Sequence, residues 1–254
     1  TMTGKLVVVG LGPGNAAQMT PEALAAVAAS DDFFGYIPYL DRLSLGPHQR
    51  RHASDNREEI SRAEQALRLA AEGGRVCVVS GGDPGVFAMA AAICEAIENG
   101  PSEWRDIDVS VVPGVTAMLA VAARAGAPLG HDFCAISLSD NLKPWGIIEK
   151  RLIAAAQAGF VMAFYNPVSK ARPHQLGTAF DLLRVHLPGS VPVIFGRAAG
   201  RLDERIRVVP LSEASSDMAD MATCVIVGSE ETRLIERPGK EPIVYSPRFS
   251  KREN

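Results

Sequence analysis

Short runs of β-branched residues alternate with alanine- and leucine-rich stretches along nearly the whole chain, and this alternation limits the fold more than any other feature. A buried strand followed by a helix-length stretch, repeated, is the pattern of α/β architecture. The first half reads as strand 5–10, helix 20–29, strand 32–36, helix 56–72, strand 75–80, helix 86–99 and strand 106–112. Thr20 before Pro21 and Glu22 supplies an N-cap and a proline at the first helical position. Gly73-Gly74 ends the helix before Arg75. Pro113-Gly114 and the alanine-rich helix 115–125, stopped by Gly126 and Pro128, mark the join between two domains, 1–113 and 114–254. The second half then runs strand 133–138, helix 145–158, strand 160–165, helix 174–186, strand 191–196, a basic hairpin near 201–209 and strand 222–228.

At 254 residues and 47% hydrophobic, two modest domains can each bury a core. The formal charge of −3 is spread over mixed signs and offers nucleic acid no general attraction. No apolar run reaches the ~20 residues of a membrane helix, and the start lacks a signal-peptide pattern, so a cytoplasmic protein is expected. Thr1, ahead of Met2, reads as an addition left by expression cloning. Cys77, Cys94, Cys134 and Cys224 are widely separated and read as buried free thiols. His48 and His52 have helical spacing, but Pro47 precedes them and no glutamate lies between, so no metal is expected.

Two glycine loops carry the chemistry. A dinucleotide site wants Gly-x-Gly-x-x-Gly at a strand-to-helix turn, with an acid closing the second strand about 20 residues on. Gly10, Gly12 and Gly14 fit imperfectly, since Asn15 takes the last glycine position and Pro13 removes a backbone N–H. Asp31 and Asp32 precede Phe33-Phe34 and open the second strand rather than close it. The second loop, SGGDPG over 80–85, places Asp83 at the lip, with a helix expected from about Val86. A carboxylate there repels phosphate and suits a cation or hydroxyl-bearing ligand, although Asp83 also reads as a helix cap. Loops at the C-terminal ends of strands in one sheet converge on a ligand crevice. A nucleoside-like ligand without phosphates, such as S-adenosylmethionine, fits that description.

GLGPGN, SGGDPGVF, VVPGVTA and FYNP, in this order on alternating α/β halves, resemble the tetrapyrrole (corrin and porphyrin) methylase family. The resemblance covers nearly the whole chain. It implies a two-domain fold that binds S-adenosylmethionine in an inter-domain cleft, releases S-adenosylhomocysteine and forms a homodimer. GYIPYLDRL (35–43), GAPLGHDFCAISLSDNLKPWGIIEKRL (126–152) and FVMAFYNPVSKAR (160–172) are similar to the branch that acts on precorrin-3B in cobalamin biosynthesis. That similarity implies methylation at ring carbon 17 with ring contraction to precorrin-4, carbon 20 becoming an acetyl group on carbon 1. Segment 54–60, SDNREEI, stands where the resemblance leads one to expect a glycine-methionine turn before the helix, and Phe87-Ala88 where it leads one to expect an aromatic-glycine pair.

Carried over position by position, the cofactor contacts implied are Leu11 with its glycine loop, Gly82, Asp83, Val86, Thr116, Ala117, Tyr165, Asn166, Arg197, Ala198 and Thr223. Thr116 also reads as an N-cap, Tyr165 and Thr223 as ordinary strand residues, and Arg197 as a surface ion-pair partner. Methyl transfer from a sulfonium is an in-line displacement that requires positioning rather than a covalent nucleophile. Ring contraction also moves protons. Tyr36, Tyr39, Asp41, Ser137 and Asp140 are the candidates, with packing as the alternative role for the tyrosines. A polycarboxylate substrate calls for cations, and Arg42, Arg50, Arg51, Lys143 and Arg172 are available, Arg42 being the preferred anchor. A solvated basic loop is the plainer reading of the 42–52 stretch. Competing readings are a methylase of another corrin or porphyrinoid, a nicotinamide-dependent oxidoreductase, and a non-catalytic tetrapyrrole carrier.

Overall fold

The computed structural model of the chain describes residues 2–55 and 58–252. Thr1, and the first two residues of the helix expected over 56–72, lie outside the described residues. The chain divides into two compact units, Thr1–Thr116 and Ala117–Asn254. The Pro113-Gly114 turn belongs to the first unit, because the Gly114 N–H donates to Asp83 Oδ1 at 2.9 Å.

The first unit contains β1 (Lys5–Gly10), α1 (Pro21–Ala28), β2 (Asp32–Tyr36), α2 (Ile37–Leu40), β3 (Arg50–Ser54), α3 (Glu59–Ala71), β4 (Arg75–Ser80), α4 (Met89–Asn99) and β5 (Asp108–Val112). Its five strands are all parallel, in the order β3-β2-β4-β1-β5. Burial on both faces explains the unbroken VVV and VCVV runs. Leu6, Val8, Val76 and Val78 face α3 and α4, while Val9, Cys77 and Val79 face Ala23 of α1 and Leu40 of α2. The chain leaving β1 therefore crosses one face and the chain leaving the adjacent β4 crosses the other. Such a divergence opens a crevice at the strand C-termini, where both glycine loops lie.

Thr20 caps α1 by accepting from the Ala23 N–H at 3.0 Å, with Pro21 at the first turn. Two features differ from the sequence reading. The helix expected from Val86 starts at Met89, because Phe87 takes a left-handed φ of +50° that no helix continues through. Part of the basic 42–52 stretch is a strand: Arg50, Arg51 and His52 lie on edge strand β3. RRHAS lacks an apolar alternation, so the pairing with β2 and the ion pairs to Asp32 hold it.

The second unit contains α5 (Ala117–Ala125), β6 (Gly126–Ala127), β7 (Phe133–Ser137), α6 (Trp145–Ala158), β8 (Val161–Tyr165), α7 (Gln175–His186), β9 (Pro192–Arg197), β10 (Arg205–Pro210), β11 (Thr223–Val227), β12 (Arg233–Arg237) and β13 (Lys240–Tyr245). The main sheet runs β10-β9-β11-β8-β7, with β7 and β8 parallel and β11 antiparallel to both β8 and β9. Ile148 and Leu152 of α6 and Phe180 and Leu183 of α7 bury one face with Met162, Phe164, Phe195 and Val225. On the other face α5 packs so closely that a Cβ on Gly196 would lie 2.2 Å from Val121 Cγ2. A small sheet, β12-β13-β6, completes the unit. Its hairpin has no apolar periodicity to announce it, since every residue of β12 is exposed.

No helix among the described residues is long and apolar enough to cross a membrane. Cys77 and Cys224 are buried, and burial pushes each thiol up to about 12. Cys134 is half-buried and Cys94, expected inside, is exposed on the outer face of α4. A charged thiol reagent applied to the native protein should therefore modify Cys94 first and leave Cys77 and Cys224 unmodified until unfolding. Peptide mapping of the label tests this, and early modification of Cys77 would contradict the burial.

Candidate functional site

In the first unit three loops meet at the C-terminal ends of β1, β4 and β5. Gly12 and Gly82 exchange backbone hydrogen bonds, 3.1 Å from the Gly12 N–H and 2.8 Å from the Gly82 N–H. A side chain cannot enter this junction. A Cβ on Gly10 would lie 2.7 Å from Gly82 O and 2.8 Å from Gly114 N. Gly12 adopts φ +73°, a left-handed conformation that glycine takes without steric cost. Asn15, at the end of the motif, accepts from the Ala17 N–H at 2.9 Å and caps a single 3₁₀ turn.

Asp83 closes the junction. Its Oδ1 accepts from the Gly114 N–H at 2.9 Å and its Oδ2 from the Gly85 N–H at 2.8 Å. It thus ties the β4 loop to the β5 loop and is not the N-cap of α4, which is Ala88. Leu11 is 1% exposed, so its side chain belongs to the core and its N–H is donated to Ser80 O.

Beside the junction stand the aromatic and basic residues of GYIPYLDRL. Tyr36 and Tyr39 meet edge to face with ring centroids 5.4 Å apart. The Arg42 guanidinium lies 5.3 Å from the Tyr39 ring centroid and donates from Nη1 to Gly12 O at 3.0 Å. Gly81 lets the ring approach, since a Cβ there would lie 2.7 Å from it. Burial raises the Tyr39 hydroxyl pKa, with the Arg42 charge opposing, so at neutral pH this group keeps its proton and can act as a donor.

The cations of the 42–52 stretch do not gather as one cluster. Arg51 pairs with Asp41 at 2.7 Å. Arg50 pairs at 3.0 Å with Asp32, at the end of the sheet where the strands begin and opposite the glycine loops. Asp32 is 3% exposed and is also held by His52 at 2.9 Å, while Asp31 pairs with Arg75 at 2.8 Å. Neither acid is placed to receive a dinucleotide ribose.

In the second unit the pairings Ser137 with Tyr165 and Arg197 with Thr223 bring the ends of β7, β8 and β9 and the start of β11 to one end of the sheet. Ser137, Tyr165, Asn166, Arg197, Ala198 and Thr223 are all there. The Tyr165 hydroxyl accepts from the Met118 N–H at 3.0 Å, satisfying a donor in the first turn of α5 immediately after Ala117. Asn166 donates to Ser137 Oγ at 3.0 Å. Asn166 and Ala198 have φ of +51° and +52°, left-handed conformations unusual for residues with a side chain. Thr116, the last residue of the first unit, is buried.

Sequence reasoning missed Asp220, which organises the Arg197–Thr223 pair. Its carboxylate takes Arg197 Nε at 2.6 Å and the Thr223 hydroxyl at 2.9 Å, while Arg197 Nη1 also donates to Asp203 at 2.9 Å. No motif marks Asp220, and only the approach of the loop to β9 reveals its role. Burial pushes the Asp220 carboxyl up, but hydrogen bonds from Arg197, Thr223 and Ala222 outweigh it and hold the pKa low. The Arg197 hydrogen bond likewise lowers Asp203. Folded-state values below the unfolded ones stabilise the protein above the ordinary carboxylate range, and that gain is lost as pH falls below about 4. Arg197→Gln should move both carboxyls back up in a carbon-detected NMR titration. An unmoved Asp203 would count against the pairing.

On the SLSD loop, Asp140 Oδ1 accepts from Arg172 Nη1 and from Gln175 Nε2, each at 2.7 Å, and Arg172 also reaches Asn141. Two sequence candidates with different expected roles are therefore partners of each other. Burial lowers the Lys143 pKa, reinforced by the Arg151 charge. Among the described residues no three metal-ligating side chains cluster.

The model of the tetrapyrrole (corrin/porphyrin) methylases matches residues 5–215. A precorrin-3B C(17)-methyltransferase from a Sinorhizobium species is 70% identical over 248 residues, covering 98% of each chain. The crystal structure of the methyltransferase CobJ superposes with a TM-score of 0.92 at 51% identity, over 96% of this chain and 100% of that one. A uroporphyrin-III C-methyltransferase from Thermus thermophilus, solved with S-adenosylhomocysteine, shares the fold at 22% identity and a TM-score of 0.65, over 89% of this chain and 97% of that one. With its glycine loops, its SLSD and YNP segments and a match spanning both units, the chain belongs to the tetrapyrrole (corrin/porphyrin) methylases.

Proposed function

We propose that this methyltransferase moves the methyl group of S-adenosylmethionine to ring carbon 17 of precorrin-3B, with ring contraction to precorrin-4 in cobalamin biosynthesis. The observation that carries this reading is the 70% identity to a precorrin-3B C(17)-methyltransferase over 98% of both chains.

The loop junction fits the cofactor. At its lip stands the Asp83 carboxylate, which would repel a phosphate and so suits a ligand without phosphates. Gly82, Asp83, Val86 and the backbone at Leu11 would hold it on the first unit, with Thr116 at that unit's end. Ala117, Tyr165, Asn166, Arg197, Ala198 and Thr223 are the residues proposed on the second. When bound, S-adenosylmethionine supplies an electrophilic methyl. The chain's own task is to hold the acceptor carbon in line, about 3–3.5 Å away.

Tyr39, which keeps its proton, is the proposed acid for ring contraction, with Tyr36 against its ring. Ser137, Asp140 and Asp41 remain the other proton-handling groups, the two acids oriented by Arg172 and Arg51. Arg42 and Lys143 are the proposed anchors for substrate carboxylates, joined by Arg172 and Arg51 on exchange of their present partners. The free cysteines suit a reducing compartment, and we place the protein in the cytoplasm as a homodimer.

The test is anaerobic incubation with precorrin-3B and isotope-labelled S-adenosylmethionine. Label at carbon 17 together with a new acetyl carbon supports the reaction. Cofactor binding with no label transfer would retain the family and refute the substrate.

A further inference from the structure

Arg62, in the first turn of α3, is a cation inside the first unit, only 3% exposed. Its Nε donates to Ser54 Oγ at 2.7 Å, its Nη2 to Asp55 O at 2.6 Å and its Nη1 to Met89 Sδ at 3.3 Å. None of these acceptors is charged. A buried charge is ordinarily paired, because its removal from water is otherwise uncompensated. Burial pushes the Arg62 pKa down, and the opposing charges of Glu59 and Glu58 do not outweigh it. A guanidinium carries five N–H donors, so two of them are uncommitted among the described residues.

Arg62 lines a cavity of about 200 Å³ together with Ser54 at the end of β3, Ser61 and Gln65 on α3, and the stacked rings of Phe34 and His52. The hydroxyls of Ser54 and Ser61 accept from Arg62 and Gln65 respectively, and each keeps its own proton for another acceptor. Glu58 is the one carboxylate among the described lining residues, and it accepts from the Asp55 N–H at 3.1 Å. Ser54 pairs with Tyr36 at the ends of β3 and β2. The cavity therefore stands two strands out from β4, about 10 Å, at the end of the sheet where the glycine loops lie. The Arg62 charge also acts on the Tyr39 hydroxyl, behind the larger effects of burial, Arg42 and Tyr36. Pockets that enclose a whole drug-sized ligand measure roughly 300–1,000 Å³, so this one suits a single arm of a larger molecule.

We infer that Arg62 is a substrate-binding residue which, with the Ser54 and Ser61 hydroxyls, holds one peripheral carboxylate of the tetrapyrrole in this cavity. The inference rests on the proposed reaction, whose substrate is a polycarboxylate. A planar guanidinium grips a carboxylate bidentately, and the two hydroxyls add donors beside it. The carboxylate in turn supplies the opposite charge that no described acceptor of Arg62 provides. A free small carboxylate shares this chemistry; the macrocycle is preferred because the cavity lies beside the Tyr36 and Tyr39 pair.

The test compares Arg62→Gln, Arg62→Lys and Gln65→Glu with the wild type, and uses Arg68→Gln, exposed on the same helix and outside the cavity lining, as the control for loss of one positive charge. The measurements are thermal midpoint, dissociation constants for S-adenosylhomocysteine and for the stable octacarboxylate uroporphyrin III, and kcat and KM for precorrin-3B. Arg62→Gln should weaken uroporphyrin III by about tenfold or more, hold S-adenosylhomocysteine within about twofold, and raise KM more than it lowers kcat. Arg62→Lys keeps the charge without the fork and should fall between. Gln65→Glu leaves Arg62 and its clasp of Ser54 and Asp55 in place but adds a negative charge to the lining. It should weaken uroporphyrin III by about threefold, less at high salt, while Arg68→Gln binds as the wild type does.

Unchanged uroporphyrin III affinity in Arg62→Gln or in Gln65→Glu overturns the inference. So does an equal weakening of both ligands in Arg62→Gln, which would mark Arg62 as a scaffold for the 54–55 turn alone. Succinate that raises the midpoint of the wild type but not of Arg62→Gln, with uroporphyrin III affinity equal in the two, would assign the cavity to a free carboxylate and likewise overturn it. If the wild type binds uroporphyrin III but does not methylate precorrin-3B, the proposed reaction fails while the binding series still decides the role of Arg62. If the wild type binds no macrocycle, both fail.

Discussion

Gly114→Ala should lose methyl transfer by about a hundredfold or more, the scale expected when reacting groups are displaced by about an ångström. The new Cβ would lie 2.3 Å from Gly82 O and 3.0 Å from the Gly10 carbonyl carbon. Both neighbours are backbone, so no side chain can rotate away. The three-loop junction must open, and overpacking of this kind costs about 1–3 kcal/mol of stability. Gly146→Ala on α6 is the control, because a Cβ there meets nothing within 4 Å and alanine favours the helix. Labelled-methyl turnover and thermal melting of the two variants test the junction. Activity within threefold of wild type in Gly114→Ala would show that its geometry is not required.

Asp83→Ala should destabilise the ligand-free protein by about 2–4 kcal/mol, since two backbone N–H groups lose a charged acceptor and water reaches them in part. Asp83→Asn should fall between it and the wild type, because an amide has one acceptor oxygen for the two donors at Gly85 and Gly114. Urea unfolding without cofactor gives the order. If Asp83 served only to contact a ligand, all three proteins would unfold at the same denaturant concentration. The predicted order would show that the carboxylate first builds the loops that a ligand would meet.

Elements with a buried apolar face of their own were legible in the amino-acid sequence. Strands β1, β2 and β4 and helix α6 begin and end where the apolar pattern places them, because a fully buried strand and a long amphipathic helix each carry their own signal. Elements held from outside were not. Strand β3 exists through pairing and ion pairs, and β12 through its partner β13, neither of which is written in local composition. Helix α4 starts late because the loop before it takes a left-handed residue that hydrophobic periodicity cannot register.

The candidate site divides in the same way. GLGPGN, SGGDPG, SLSD and YNP announce themselves through residue type and order, which suffices for the family and for the strand ends where the candidate site residues stand. Partners come from elsewhere in the chain. Asp83 clasps Gly114, 31 residues on; Asp220 organises Arg197, 23 residues back; and Asp140 holds Arg172. The sequence by itself determined the α/β alternation, the glycine-rich turns and the family. The tertiary structure alone decided which oxygen accepts from which N–H, which cations are already paired, and which strands lie at an edge. Those choices depend on groups distant along the chain meeting within hydrogen-bond range, and local residue pattern carries no record of such meetings.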